Sequence, residues 1–282
     1  MNRGLFSFLT KGSRLEGIIG VGVIILAEVF LILKVEPIPT FFTPIAWTGY
    51  IIAVDSLVFR VKGESLIRSR RGEFLFMFPF SVLVWLCFEG YNLHLKNWHY
   101  INLPANLWVR WSGFIWSFAT ILPAILETTE FYSSLKLFDV STQRFSIKKR
   151  YLVLSGAIGL IFLLLPIILA YQYAKYMVTA IWVGFPLLLE PINYWLSRPS
   201  VVEMAEKGRL GLLFQLFAAG LTCGLFWEFW NWWARSKWVY DVPFGQGIKL
   251  FEMPLIGLLG FLPFALGEYD IYYLVAFGRK KA

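Results

Sequence analysis

Long apolar runs separated by short polar segments dominate the chain. Eight runs occur, at about 17–35, 42–60, 73–95, 112–134, 151–171, 176–196, 209–232 and 253–276. About 20 apolar residues in a helix cross a hydrocarbon core ~30 Å thick. The pattern predicts an all-α, polytopic transmembrane bundle of about eight spans.

Composition agrees. Of 282 residues, 58% are hydrophobic and only 16% charged, far too few charges for a soluble domain of this length. The net charge of +8 does not argue for nucleic acid, because basic residues in such a protein fix orientation. With eight crossings, nineteen Lys and Arg fall on the side of both termini and seven on the other. That bias predicts an integral protein of the cell inner membrane with both termini cytoplasmic. The N-terminal MNRGLFSFLTKGSRLEG has no small-residue cleavage site, and the apolar run after it is long enough to span. Cys87 and Cys223 lie inside apolar runs and read as packing residues.

The two halves echo each other at an offset of about 135 to 140 residues. AWTGYIIAVDSLVF, from Ala46, lies over IWVGFPLLLEPINY, from Ile181, so Trp47 matches Trp182, Gly49 matches Gly184 and Asp55 matches Glu190. Glu89 and Asn92 match Glu228 and Asn231; Trp98 and Tyr100 match Trp238 and Tyr240. Pro123 meets Pro263, and Glu127 meets Glu268 with one residue of slip. The reading is two parallel four-helix repeats, 1–147 and 148–282, related by a pseudo-two-fold axis along the membrane normal.

Seven carboxylates stand out within the predicted spans: Glu28, Asp55, Glu89, Glu127, Glu190, Glu228 and Glu268. An acid in the bilayer core costs roughly 2.5–3.5 kcal/mol, so each should face the bundle interior and have a partner. No Lys or Arg falls well inside a span to serve as one. The acids can then carry a proton, hydrogen-bond to polar side chains, or line a cation path. Asp55, Glu127, Glu190 and Glu268 fall slightly cytoplasmic of the midplane, and Glu89 and Glu228 toward the outer face. Asn92 and Asn231 follow Glu89 and Glu228 by three residues, on the same helix face, where an amide can orient a carboxyl or clamp two helices. Trp98, Tyr100, Trp108, Trp111, Trp238 and Tyr240 crowd the outer ends. Such aromatics form an interfacial belt, or a lining that stabilises a carbocation. His94 and His99 are five apart, a poor spacing for two ligands on one helix face.

The order acid-x-x-Asn, Trp-x-Tyr, Pro-xxx-Glu resembles the lycopene cyclase domain of the small integral-membrane type, which occurs as tandem copies. One copy reads Glu89, Asn92, Trp98, Tyr100, Pro123, Glu127, and the other Glu228, Asn231, Trp238, Tyr240, Pro263, Glu268. The family's adjacent acid pair after the proline is not reproduced. The resemblance implies acid-catalysed cyclisation or isomerisation of an isoprenoid or carotenoid-type lipid, with no metal or other cofactor. On that reading Glu89, Glu228, Glu127 and Glu268 are catalytic. Asn92, Asn231, Trp98, Tyr100, Trp238, Tyr240, Asp55 and Glu190 bind substrate. The partners are an apolar lipid and the membrane, not nucleic acid, and an oligomer stays open. The alternatives are a proton- or cation-coupled transporter using the intramembrane acids, and a scaffold whose acids only clamp helices.

Overall fold

A computed structural model describes residues 3–275, with side chains from Arg14 onward. Arg3, Lys11, Arg279, Lys280 and Lys281, which carry part of the charge bias, lie outside the described side chains, as does residue 276 at the end of the last predicted span. The described chain is mostly helical. The helices are α1 (Arg3–Ile32), α2 (Phe42–Lys62), α3 (Leu66–Ser69), α4 (Arg71–Leu95), α5 (Leu107–Ala119), α6 (Ile121–Ser134), α7 (Lys149–Ile168), α8 (Tyr171–Ala174), α9 (Val178–Trp195), α10 (Val201–Glu206), α11 (Gly211–Trp233) and α12 (Phe261–Val275). Strand β1 (Trp98–Ile101) follows α4 and β2 (Lys237–Tyr240) follows α11. Strands β3 (Lys249–Leu250) and β4 (Met253–Pro254) pair antiparallel, Lys249 opposite Pro254 and Leu250 opposite Met253, and a 3-10 turn at Leu255–Gly260 leads into α12.

Among the described residues, seven helical segments are long and apolar enough to cross a membrane, the mark of an integral membrane protein. They begin at Arg14, Phe42, Arg71, Leu107, Lys149, Gly211 and Leu255. Helix α9, over the predicted run at 176–196, is not among them. Pro186, Glu190, Pro191 and Asn193 lower its hydropathy. The outward faces of α1 and α7 are apolar, with Ile18, Ile25 and Ile32, and Leu154, Ile161 and Ile168, all exposed. Such faces suit lipid rather than water as solvent.

The chain divides into two compact units. The first holds Met1–Trp85, Tyr100–Leu135 and Trp227–Trp238; the second holds Leu86–His99, Lys136–Phe226 and Val239–Ala282. Helix α4 therefore passes from the first unit to the second after Trp85, and α11 returns to the first after Phe226.

In the first unit, α2 packs against α1, α5 and α6. Helices α1 and α2 approach through glycines: a Cβ on Gly20 would lie 2.6 Å from the Gly49 carbonyl oxygen, and one on Gly49 would lie 2.7 Å from that of Gly20. Small residues let helix backbones meet where lipid gives no hydrophobic drive to associate. Trp47, fully buried, sits with its ring centroid 5.1 Å from Tyr50, 4.9 Å from Trp227 and 5.0 Å from Trp230. Ser81 Oγ donates to Phe118 O (2.5 Å) and accepts from Leu122 N (3.0 Å), tying α4 to the break between α5 and α6.

In the second unit, α9 packs against α7, α12 and α10. Again the long helices meet at glycine: a Cβ on Gly159 of α7 would lie 2.4 Å from Leu188 N and 2.8 Å from Gly184 O, both on α9. The C-terminal part of α4 is fastened to α7 by Tyr91 Oη, which donates to Leu163 O at 3.0 Å, and to the residue after α7 by His94 Nε2, 2.9 Å from Leu169 O. Trp182 packs on Phe88 and Phe264, at 4.7 and 5.2 Å between centroids.

Candidate functional site

Three of the predicted acids, Asp55, Glu127 and Glu190, lie in two buried clusters, one in each unit. In the first unit, α2 ends at Gly63, whose φ of +80° turns the chain back while its N–H closes on Phe59 O. The reversal returns Ser65 and Ile67 to Asp55. Ser65 Oγ donates to Asp55 Oδ2 at 2.9 Å, and Ile67 N donates to Oδ1 at 2.8 Å. Ser65 is also the N-cap of α3, accepting from Arg68 N. Across from α2, the Glu127 carboxyl of α6 faces Asp55. Glu127 is 0% exposed, and neither of its oxygens accepts from any donor group among the described residues. Arg70 also acts on Glu127, but it is paired with Glu130 and Glu73, and Lys62 with Glu130 at 3.2 Å.

The second unit repeats this arrangement with α9, α10 and α12. Ser200 Oγ donates to Glu190 Oε2 at 2.7 Å, Val202 N to Oε2 at 3.1 Å, and Val201 N to Oε1 at 2.8 Å. Ser200 is the N-cap of α10, accepting from Glu203 N at 3.1 Å. The carboxyl facing Glu190 belongs to Asp270 of α12. It is 0% exposed, and its oxygens accept no hydrogen bond among the described residues; Asn193 Nδ2, close by, donates to the Asp270 backbone carbonyl (3.0 Å). Glu268, two residues earlier, is also buried, and its carboxyl accepts no hydrogen bond among the described residues.

Glu89 and Glu228 are held differently. Glu89, half-buried in the second unit, accepts from Trp98 Nε1 at 3.1 Å. Trp98 also lines an apolar crevice with Phe88, Tyr91, Asn92, Leu95, Val178, Ile181 and Trp182. Its interior space, about 10 Å³, holds at most one water-sized molecule. Glu228 is fully buried in the first unit. Trp230 of the same helix donates from Nε1 to Glu28 Oε1 at 3.0 Å, giving Glu28 a polar partner.

Both asparagines serve the loops after their helices. The chain turns at Lys96, with φ +52°, so that Asn92 Nδ2 donates to Trp98 O (2.8 Å) while its Oδ1 accepts from Asn97 N (2.9 Å) and Trp98 N (3.2 Å). Asn231 Nδ2 donates to Trp238 O at 2.9 Å, and its Oδ1 accepts from Trp238 N at 3.0 Å. These amides fix the backbone that carries the tryptophans. Tyr100 packs on Phe114, 4.9 Å between centroids, and Trp238 and Tyr240 are half-buried on β2. Trp108 and Trp111 are exposed. His99 Nδ1 and the Asp241 carboxyl, both exposed, are hydrogen-bonded.

The structure therefore brings together Glu89, Asn92 and Trp98; Asp55 and Glu127; and Asn231 and Trp238. It adds Ser65, Ser200 and Asp270, which the sequence reading did not single out. A signal for the serines existed: each follows its acid by ten residues. Among the described residues, no group of three or more His, Cys, Asp and Glu is placed to hold a metal ion. Among known protein families, curated proteins and solved structures, none matches this chain.

Proposed function

We propose that the chain is an integral membrane enzyme that protonates an isoprenoid- or carotenoid-type lipid and so starts a cyclisation or isomerisation. The observation that carries this reading is the Glu89 carboxyl, hydrogen-bonded to an indole that lines an apolar, aromatic-walled crevice. A carboxylic acid there adds its proton to a carbon–carbon double bond, and the aromatic faces attract the carbocation that forms. Loss of a proton from a neighbouring carbon completes the isomer. Glu228 has the same role in the other copy. Glu127 and Glu268 relay the proton, supported by Asp55 and Glu190. Trp98, Tyr100, Trp238 and Tyr240 line the substrate, and Asn92 and Asn231 hold the loops that present the two tryptophans. The crevice opens to admit a lipid, since its present space is water-sized.

The reading includes eight crossings, α9 among them, in two parallel copies at 1–147 and 148–282, with both termini on the cytoplasmic face of the inner membrane. Its support is recurrence at an offset of 135: Trp47 and Trp182 in aromatic clusters, Gly49 and Gly184 at close helix approaches, and Asp55–Ser65 and Glu190–Ser200 locks. A second reading, a proton or cation path, is favoured by the inner carboxyl pairs, Asp55 with Glu127 and Glu190 with Asp270.

The test replaces Glu89 and Glu228 with Gln, singly and together, and profiles isoprenoid lipids of the host membrane. The enzyme reading expects the double variant to accumulate an unsaturated acyclic or unisomerised precursor. Unchanged lipids, together with proton uptake by vesicles that is lost in Asp55→Asn, would establish the second reading instead.

A further inference from the structure

We propose that each unit contains a one-proton site made of two carboxyl groups with fixed, unequal roles: Asp55 and Glu190 are the ionised acceptors, and Glu127 and Asp270 carry the proton. The argument is one of donors and acceptors, and it does not depend on what the outer acids act on.

A protonated carboxyl has one O–H to give, whereas an ionised one only accepts. Both oxygens of Asp55 already accept, Oδ2 from the Ser65 hydroxyl and Oδ1 from Ile67 N. Glu190 is more committed still, with Ser200, Val201 and Val202 all donating to it. A proton on either group would point an O–H toward donors. The facing groups are the opposite. Glu127 and Asp270 are fully buried, and neither carboxyl accepts a hydrogen bond among the described residues; Asn193 Nδ2, the amide that acts on Asp270, gives its bond to the Asp270 backbone carbonyl. An ionised carboxyl in that setting would be a desolvated charge beside a like charge. As acids, each instead donates one O–H to the carboxylate it faces and satisfies itself and its partner in one bond. The charges around the first pair leave this arrangement in place: Arg70 is engaged by Glu130 and Glu73, and Glu16, which acts on Asp55, pairs with Arg68 at 2.7 Å.

The site thus holds a proton between two carboxyls. It stores one proton per unit inside a hydrocarbon-facing bundle. The serine that orients the acceptor also caps a short helix, α3 or α10, so a change in either loop is felt at the proton.

Infrared spectroscopy of the purified protein in lipid nanodiscs at neutral pH reads protonated carboxyls by their C=O stretch, which shifts in deuterium oxide. The wild-type minus Glu127→Gln spectrum is expected to contain one such band, and the wild-type minus Asp270→Asn spectrum a second. In Asp55→Asn and Glu190→Gln the bands should move rather than vanish, because the proton carrier remains. A wild-type spectrum with no protonated-carboxyl band overturns the proposal whatever the variants do. So does loss of a band on replacing Asp55 or Glu190 while the matching Glu127 or Asp270 variant keeps it. A variant that has lost its helical amide signal is replaced by Glu127→Asp or Asp270→Glu, which should keep the band with a shift.

Discussion

Ser200→Ala isolates the serine lock in one atom. The hydroxyl makes two bonds: it donates to Glu190 at 2.7 Å, and it accepts from Glu203 N as the cap of α10. A hydrogen bond to a charged group is worth about 1.5–3 kcal/mol, and an N-cap serine about 0.5–2 kcal/mol. The two share one oxygen and do not add fully. The expected loss is therefore about 2–4 kcal/mol, large because Ser200 is 1% exposed and water cannot substitute. Ser65→Ala should cost less. Its hydroxyl lies 2.9 Å from Asp55, but its capping contact to Arg68 N is stretched to 3.4 Å. Helical circular dichroism of protein in mixed micelles, titrated with a denaturing detergent, gives the unfolding free energy. Ser200→Thr, which keeps a hydroxyl, should recover most of the loss. If Ser200→Ala changes stability by less than about 0.5 kcal/mol, the range of ordinary surface substitutions, the lock is not what holds Glu190.

Two further outcomes are expected. Gly159→Val places a Cβ 2.4 Å from Leu188 N, against backbone that cannot swing aside, and should cost about 1–3 kcal/mol in the same titration, as should Gly49→Val against Gly20 O; a neutral Gly159→Val would mean the helices do not meet there. In a Cys87→Ala background, a cysteine at Lys96 should react with a membrane-impermeant maleimide on intact cells, and one at Arg144 only after lysis; the reverse pattern would invert the proposed orientation.

Much of the helical framework is legible in the sequence because length and apolarity set the spans without reference to neighbours. Helix α9 is the instructive departure. Its acid, amide and prolines keep its hydropathy below that of the seven membrane-length segments, and packing against α7 and α12 gives those groups their surroundings. Asp55 and Glu190 stand out as acids in apolar runs, but their partners come from beyond the helix end. Ser65 and Ser200 return only because the chain reverses, which periodicity cannot show. Asp270 lies in the same predicted run, 253–276, as Glu268, and what the sequence does not show is which of the two acids meets Glu190. They are two residues apart, so the two side chains leave α12 on different sides, and only packing against α9 decides. The Asn92 and Asn231 spacing pointed to their acids, yet the amides turn to the loop backbone, because a helix end leaves carbonyls and N–H groups to be satisfied.

The most direct measurement of the unequal carboxyl pairs is a comparison of isosteric amide swaps. Gln at 127 or Asn at 270 still donates an N–H to the facing carboxylate, so Glu127→Gln and Asp270→Asn should unfold within about 0.5 kcal/mol of wild type. Asn at 55 or Gln at 190 turns an NH2 toward the serine hydroxyl and backbone N–H donors, and those variants should lose about 2–4 kcal/mol. Equal losses within each pair, or a larger loss at Glu127 and Asp270, would contradict the assignment of the protons.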